Sequence, residues 1–175
     1  MGGLAILAAI AYTGGPWPFG YHGLGDPMAF LFFGPVAVAG TYFVQAGRVA
    51  ATVWWMSVPV GLIITAILVV NNLRDIATDR AAGKRTLTVR FGATAARREY
   101  FWCLAIAYAI PLCLIATGLL PPQSLLCWLS LAVAWPTWRT VRDKKGPILN
   151  EALAGTGKIV LTYSVLFALG LWLGR

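Results

Sequence analysis

AATVWWMSVPVGLIITAILVVNNLRDIATDRAAGKRTLTVRFG, residues 50–92, decides the fold class. Up to Val70 it holds no charged residue. Then Asn71, Asn72, Arg74, Asp75, Asp79, Arg80, Lys84, Arg85 and Arg90 follow in quick succession. An apolar run of about 20 residues, at about 1.5 Å per residue, spans the hydrocarbon core of a bilayer as a helix. The junction therefore reads as a membrane helix emerging into water.

The whole chain agrees with that stretch. It is 59% hydrophobic and 11% charged over 175 residues, and its mean hydropathy is +0.74. Soluble domains carry about 25% charged residues. A chain this short cannot hide so much apolar surface from water, so the class is integral membrane protein. The fold class expected is all-α, a polytopic transmembrane helical bundle. Its apolar spans are Met28–Gln45, Ala50–Val70, Tyr100–Leu120, Ser124–Trp138 and Ile159–Leu173. Trp54, Trp55, Trp102, Trp128, Trp138 and Trp172 lie near span ends, as interfacial aromatic belts do. Residues 2–12, GGLAILAAIAY, make about half a span and lack the basic region of a signal peptide. They are read as the second half of a truncated helix, giving five full spans plus a partial one.

Basic residues set the orientation. Arg74, Arg80, Lys84, Arg85, Arg90, Arg97 and Arg98 lie in segment 71–98, and Arg139, Arg142, Lys144, Lys145 and Lys158 in segment 139–158. Two spans separate these segments, so both lie on one side, and loop 13–26 falls there too. The positive-inside rule makes that side cytoplasmic, in a plasma membrane, with any active site on the cytoplasmic face. The net charge of +8 is juxtamembrane and has no aromatic–basic module beside it. It suits anionic headgroups of the lipid bilayer, and no nucleic acid partner is expected.

Asp75 and Asp79 need another explanation, because acidic residues contribute little to topology. If the helix continues past the membrane edge, Asn71, Asp75 and Asp79 share one face, a turn apart. One reading has Arg74 and Arg80 neutralise the aspartates as surface pairs. The other has the carboxylates hold a hard divalent cation. Mg²⁺ takes one or two carboxylates and shares its other positions with substrate phosphates. Lys84 and Arg85 would then donate to phosphate oxygens.

Elsewhere the residues read plainly. Loop 12–26, YTGGPWPFGYHGLGD, has the glycines and prolines of defined turns. It is either a lid or acceptor contact carrying Tyr21 and His22, or a tight connector. Asp26, before Pro27, reads as an N-cap for the next helix. Cys103, Cys113 and Cys127 read as small hydrophobes, and the small-residue runs 34–40 and 152–157 suit close helix packing.

The 71–92 stretch resembles the second aspartate-rich motif of the UbiA superfamily of membrane prenyltransferases. Its form N-N-L-R-D-x-x-x-D-R-x-x-G-K-R-T-L is typical of the branch acting on 1,4-dihydroxy-2-naphthoate. Loop 12–26, FFGPVAVAGTYFVQ and LNEALAGTGKIVLTYSVLFALGL are similar to other parts of that branch, so the likeness covers essentially the whole chain. It implies one transmembrane prenyltransferase domain over residues 1–175. It also implies transfer of a polyprenyl group from polyprenyl diphosphate to 1,4-dihydroxy-2-naphthoate, with decarboxylation, giving demethylmenaquinone. The implied roles are Asp75 and Asp79 as catalytic Mg²⁺ ligands, with Asn71 and Asn72 supporting them. Arg74, Lys84 and Arg85 would contact diphosphate, with Arg74 read otherwise as a partner for Asp79. The family's first motif, N-D-x-x-D, has no match in this chain, where Asp26 is the one acid before Asp75. The resemblance thus implies half of a bipartite metal site, and a non-catalytic piece of the fold or another aromatic acceptor stand as alternatives. A transporter would place its polar residues at mid-membrane helix breaks, and a CDP-alcohol phosphotransferase would need a D-G-x-x-A-R lead that the sequence lacks.

Overall fold

Helix α1 (Gly25–Ala46) is the first long element in the computed structural model, which describes residues 19–174 together with Gly3 and Gly14. Apart from those two glycines, the half-span expected over residues 2–12 and loop residues 13–18 lie outside the described residues. Every regular element that is described is helical. In α1 the ladder widens to a π-turn over Phe32–Val36, because Pro35 has no N–H to give. The helix stops at Gly47, whose φ of 67° suits the left-handed cap that glycine adopts without a Cβ clash.

Helix α2 (Ala51–Arg74) follows, then short α3 (Ile76–Ala81) and long α4 (Leu87–Ala116). The hydroxyl of Thr86 caps α4 by accepting the Val89 N–H at 3.2 Å. Within α4 the helical path breaks at Gly92, with φ 85° and ψ 170°. A 3-10 segment, Pro122–Ser130, leads into α5 (Leu131–Asp143), and a second 3-10 turn at Gly146–Ile148 leads into α6 (Leu149–Leu173).

Helix α2 is the hub, packed against α1, α4 and α6. Ile63, Val69 and Val70 of α2 meet Tyr100 and Ala107 of α4 and Ile159 and Tyr163 of α6 in a fully buried core. The crossing with α1 is close: a Cβ on Gly34 would lie 2.8 Å from the Cα of Gly61. Among α4, α6 and the 3-10 segment before α5, buried hydroxyls supply the glue. Tyr100 and Thr156 share a hydrogen bond of 2.9 Å, Tyr108 and Ser130 one of 2.6 Å, and Tyr163 donates to the Ala107 carbonyl at 2.9 Å. The small-residue run 152–157 packs as expected, since a Cβ on Gly155 would meet the Thr137 hydroxyl at 2.6 Å.

Four helical segments are long and apolar enough to cross a membrane: Gly25–Ala46, Ala51–Arg74, Leu87–Ala116 and Gly146–Leu173. The protein is a multi-pass membrane protein. Trp54, Trp55, Trp102, Trp135 and Trp172 point outward, as side chains do where the solvent is lipid.

Three expectations are corrected here. The span read over Ser124–Trp138 is a 3-10 segment joined to a shorter α-helix, and it is not among the four. Its apolar pattern is interrupted by Pro136, Ser124, Ser130 and Thr137; the two serines and the threonine are buried against the bundle. Trp138 is not an outward belt residue; its ring stacks on Tyr100 at 6.0 Å between centroids. Lys158, assigned to a loop, lies inside α6, because the helix already starts at Leu149.

Candidate functional site

The site grows from the way α2 ends. At Asp75 the backbone turns out of the helix, with φ −98° and ψ 11°, and α3 starts one residue later. The continuous helix expected over 71–79 is therefore broken. The spacing survives the break: Asp75 N–H donates to the Asn71 carbonyl at 3.1 Å and Asp79 N–H to the Asp75 carbonyl at 2.8 Å. Asn71, Asp75 and Asp79 remain a turn apart.

Helix α3 ends in a Schellman motif. Gly83, at φ 72°, donates to the Arg80 carbonyl at 3.2 Å, and Lys84 N–H to the Asp79 carbonyl at 2.9 Å. This turn swings Lys84 back over Asp79, and its Nζ reaches the Asp79 carboxylate at 2.8 Å. The D-R-A-A-G-K spacing at 79–84 is thus a structural instruction, since glycine supplies the left-handed residue that returns the lysine to the aspartate.

Arg74 is the other organiser. Its Nε and Nη2 donate to the two oxygens of Asp75 at 2.7 and 2.6 Å. Nη2 also donates to Asn71 at 2.9 Å, and Nη1 to Asn150 of α6 at 2.8 Å. The hydrogen-bonded Arg74 guanidinium holds the Asp75 carboxyl below the usual carboxylate range. The alternative that paired Arg74 with Asp79 is corrected: Arg74 holds the adjacent Asp75 and Lys84 holds Asp79. Arg80 is exposed and makes no ion pair among the described residues. Arg97, read as a topology charge, has a structural task, donating to the carbonyls of Val141 and Lys144 at 3.0 and 3.1 Å.

These contacts bring the expected loops to one end. Arg85 N–H donates to the Tyr21 carbonyl at 2.8 Å, and the Arg90 guanidinium to the His22 carbonyl at 2.8 Å. The Lys84 ammonium stands 5.4 Å from the centroid of the Tyr21 ring. Tyr21 and His22 therefore sit beside the basic stretch, with Arg85 presenting its side chain outward. Asn72 points elsewhere: it is buried, and its amide donates to Asp26 at 3.4 Å.

Asp26 corrects an expectation. Helix α1 begins at Gly25, its N-cap is Leu24, and no side chain caps it. Asp26 stands in the first turn and is 3% exposed.

No cluster of three or more His, Cys, Asp or Glu able to hold a metal occurs among the described residues. The donor set is two carboxylates, Asp75 and Asp79, with amide oxygens beside them. Hard oxygen donors in that number fit Mg²⁺ shared with substrate phosphates rather than a closed protein cage.

Three features of this end emerge only in the structure. The Gly83–Lys84 return was signalled by a glycine four residues after Asp79. Asn150, 76 residues from Arg74, had no local signal. Asp26 precedes a proline, a pattern that points to a cap rather than to a buried acid.

Comparison with known proteins adds the lineage. The profile described as "UbiA prenyltransferase family" matches residues 1–154. The 1,4-dihydroxy-2-naphthoate octaprenyltransferase of Escherichia coli (strain K12) is 40% identical over 179 residues, covering 100% of this chain and 57% of that protein. The protein of the same description from Mycobacterium tuberculosis is 37% identical, covering 100% of this chain and 59% of its own length. The UbiA prenyltransferase domain-containing protein 1 of Rattus norvegicus is 33% identical, covering 97% of this chain and 48% of its own length. The chain thus spans a little over half the length of the bacterial relatives it matches.

Proposed function

Because this chain belongs to the UbiA prenyltransferase family, we propose that it serves in transfer of a polyprenyl group from polyprenyl diphosphate to 1,4-dihydroxy-2-naphthoate. The transfer proceeds with decarboxylation and gives demethylmenaquinone. The observation that carries this reading is the ladder of Asn71, Asp75 and Asp79 at the end of a membrane helix, with Arg74 and Lys84 in direct contact with its carboxylates. The relatives whose names state this acceptor support the choice of substrate.

Each residue has a part in the proposal. Asp75 and Asp79 hold Mg²⁺, and Asn71 orients the neighbouring Arg74. When bound, Mg²⁺ neutralises the charge that develops on the diphosphate leaving group. Lys84, Arg85 and Arg74 donate charge-assisted hydrogen bonds to diphosphate oxygens. Tyr21 and His22, on the loop beside the basic stretch, serve as the lid or acceptor contact. The apolar bundle takes the prenyl tail, which water would reject. Residues 1–175 act within a single transmembrane prenyltransferase domain. Its charged end faces the cytoplasm of a plasma membrane, in accord with the basic residues gathered there. The family reading calls for a further carboxylate set, so activity is expected to rise when a polypeptide bearing N-D-x-x-D is supplied.

The test is prenyl transfer to 1,4-dihydroxy-2-naphthoate in membranes holding this chain and such a polypeptide. Asp79→Asn is expected to lower transfer by about 100-fold or more, as loss of one preorganised charge does, with the melting temperature little changed. Full activity in Asp79→Asn would sink the proposal.

A further inference from the structure

Asp26 is expensive and returns nothing to the fold. It is 3% exposed, it caps no helix, and it joins no ion pair among the described residues. Its hydrogen bond comes from a neutral amide, Asn72, at a long 3.4 Å. A carboxylate taken out of water without a cation or several donors destabilises the folded state. A buried carboxylate held by one long hydrogen bond, where loop 19–24 meets the charged end of α2, is open to a further donor.

The space around it is about the size of one water, which suits a single ligand hydroxyl rather than a ring. Asp26 and Asn72 line a small cavity with Gly20, Gly23, Gly25 and Thr86. Three of these six residues have no side chain, so backbone can approach a ligand closely. Gly23 is fixed there: its φ is +81°, and a Cβ would stand 3.0 Å from the Arg85 carbonyl. The same loop carries cations nearby, with Arg90 on the His22 carbonyl and Lys84 over the Tyr21 ring. A hydrogen-bond acceptor within and positive charge at the rim complement a ligand with a hydroxyl and a carboxylate on one aromatic ring.

We propose that Asp26, steadied by Asn72, is the residue that binds the ring hydroxyl of the aromatic acceptor. This rests on the prenyl-transfer reading above and names the part of that site that recognises the acceptor. Asp26 accepts the O–H of the acceptor, while the acceptor's carboxylate turns to the basic rim.

The experiment uses the whole chain in lipid nanodiscs. Binding of 1-hydroxy-2-naphthoate is compared with binding of 2-naphthoate, which lacks the hydroxyl. The unaltered chain is expected to favour the hydroxylated probe by about tenfold, as a hydrogen bond to a charged group does. Asp26→Asn is expected to bring the two within about twofold, with a melting temperature equal to or above that of the unaltered chain. Three results overturn the inference: the preference persists in Asp26→Asn, the variant melts lower or fails to fold, or the unaltered chain shows no preference. Mn²⁺ binding in the presence of a prenyl diphosphate, measured in parallel by electron paramagnetic resonance, separates the two levels. If that binding is present and the hydroxyl preference absent, the role of Asp26 alone fails; if both are absent, the prenyl-transfer reading fails with it.

Discussion

The charged end of α2 and the hydroxyl lattice among α4, α6 and the 3-10 segment Pro122–Ser130 are both held by polar contacts, made over different distances in the chain. At the charged end Arg74 grips the residue beside it and Lys84 the residue five before it. In the lattice Tyr100 reaches Thr156 across 56 positions, Tyr108 reaches Ser130 across 22, and Tyr163 reaches Ala107 across 56. In the first region the ion pairs are set by a helix break and a Schellman turn, although Arg74 also reaches Asn150 of α6. The second exists only when α4, α6 and the 3-10 segment have docked. The difference teaches a division of labour. Local contacts keep charges available to a ligand at the water's edge, and non-local contacts hold the bundle where no water can compete for its hydroxyls.

If that division is right, damage to helix docking should unfold the protein, and damage to the charged end should not. Gly61→Leu is the strongest probe, because a Cβ there would lie 2.9 Å from the Phe30 carbonyl and 3.0 Å from the Gly34 Cα. Forcing α1 from α2 is expected to cost about 1–3 kcal/mol, read as a lower unfolding midpoint in detergent. An unchanged midpoint would show that the crossing yields freely. A smaller effect is expected for Tyr163→Phe, which removes the donor to the Ala107 carbonyl. Interhelical hydrogen bonds in membranes average about 0.6 kcal/mol, so a loss of about that size is expected in the same melt. Tyr100→Phe should cost less, because Thr156 keeps its bond to the Ala152 carbonyl at 2.7 Å.

Acid sharpens the contrast. The Asp75 carboxyl is held below its ordinary value, first by the hydrogen bonds from Arg74. A depressed folded pKa means that the pair stabilises above about pH 4, the unfolded value. That contribution is lost as pH falls through the folded value. Asp75 is one-third exposed, so water screens the pair and its worth is no more than about 1 kcal/mol. The melting gap between the unaltered chain and Asp75→Asn should therefore be small at pH 7 and close as pH drops below about 4. A gap that widens in acid would contradict the pairing. The smallest effect is expected at the exposed Arg142–Asp143 pair: Asp143→Asn should melt indistinguishably from the unaltered chain.

The legible parts of this protein follow the same split. The spans 50–70 and 28–45 were readable because a membrane helix announces itself by length and apolarity, with no partner required. The carboxylate ladder was readable because a helical spacing of four puts side chains on one face. The structure then moved the third expected span's start to Leu87 and recast Ser124–Trp138 as a 3-10 segment with a short helix. Amphipathic ends and proline-interrupted runs carry no hydropathy signal strong enough to fix their bounds. Arg74 shows the limit within the site itself. Its reach to Asp75 is local, yet its bond to Asn150 depends on where the start of α6 comes to rest.

By itself the sequence determined that this chain lies in a membrane, which end of it is charged, and that two aspartates stand a turn apart there among basic residues. Those properties depend on composition and on contacts within a few residues. Tertiary structure alone decided that Asp26 is a buried acid facing Asn72 rather than a helix cap, that Asn150 joins the charged end, and that Trp138 turns inward onto Tyr100. Each of these depends on which helix lies beside which. That placement is set by close approach at Gly34 and Gly61 and by hydroxyls that find partners more than twenty residues away.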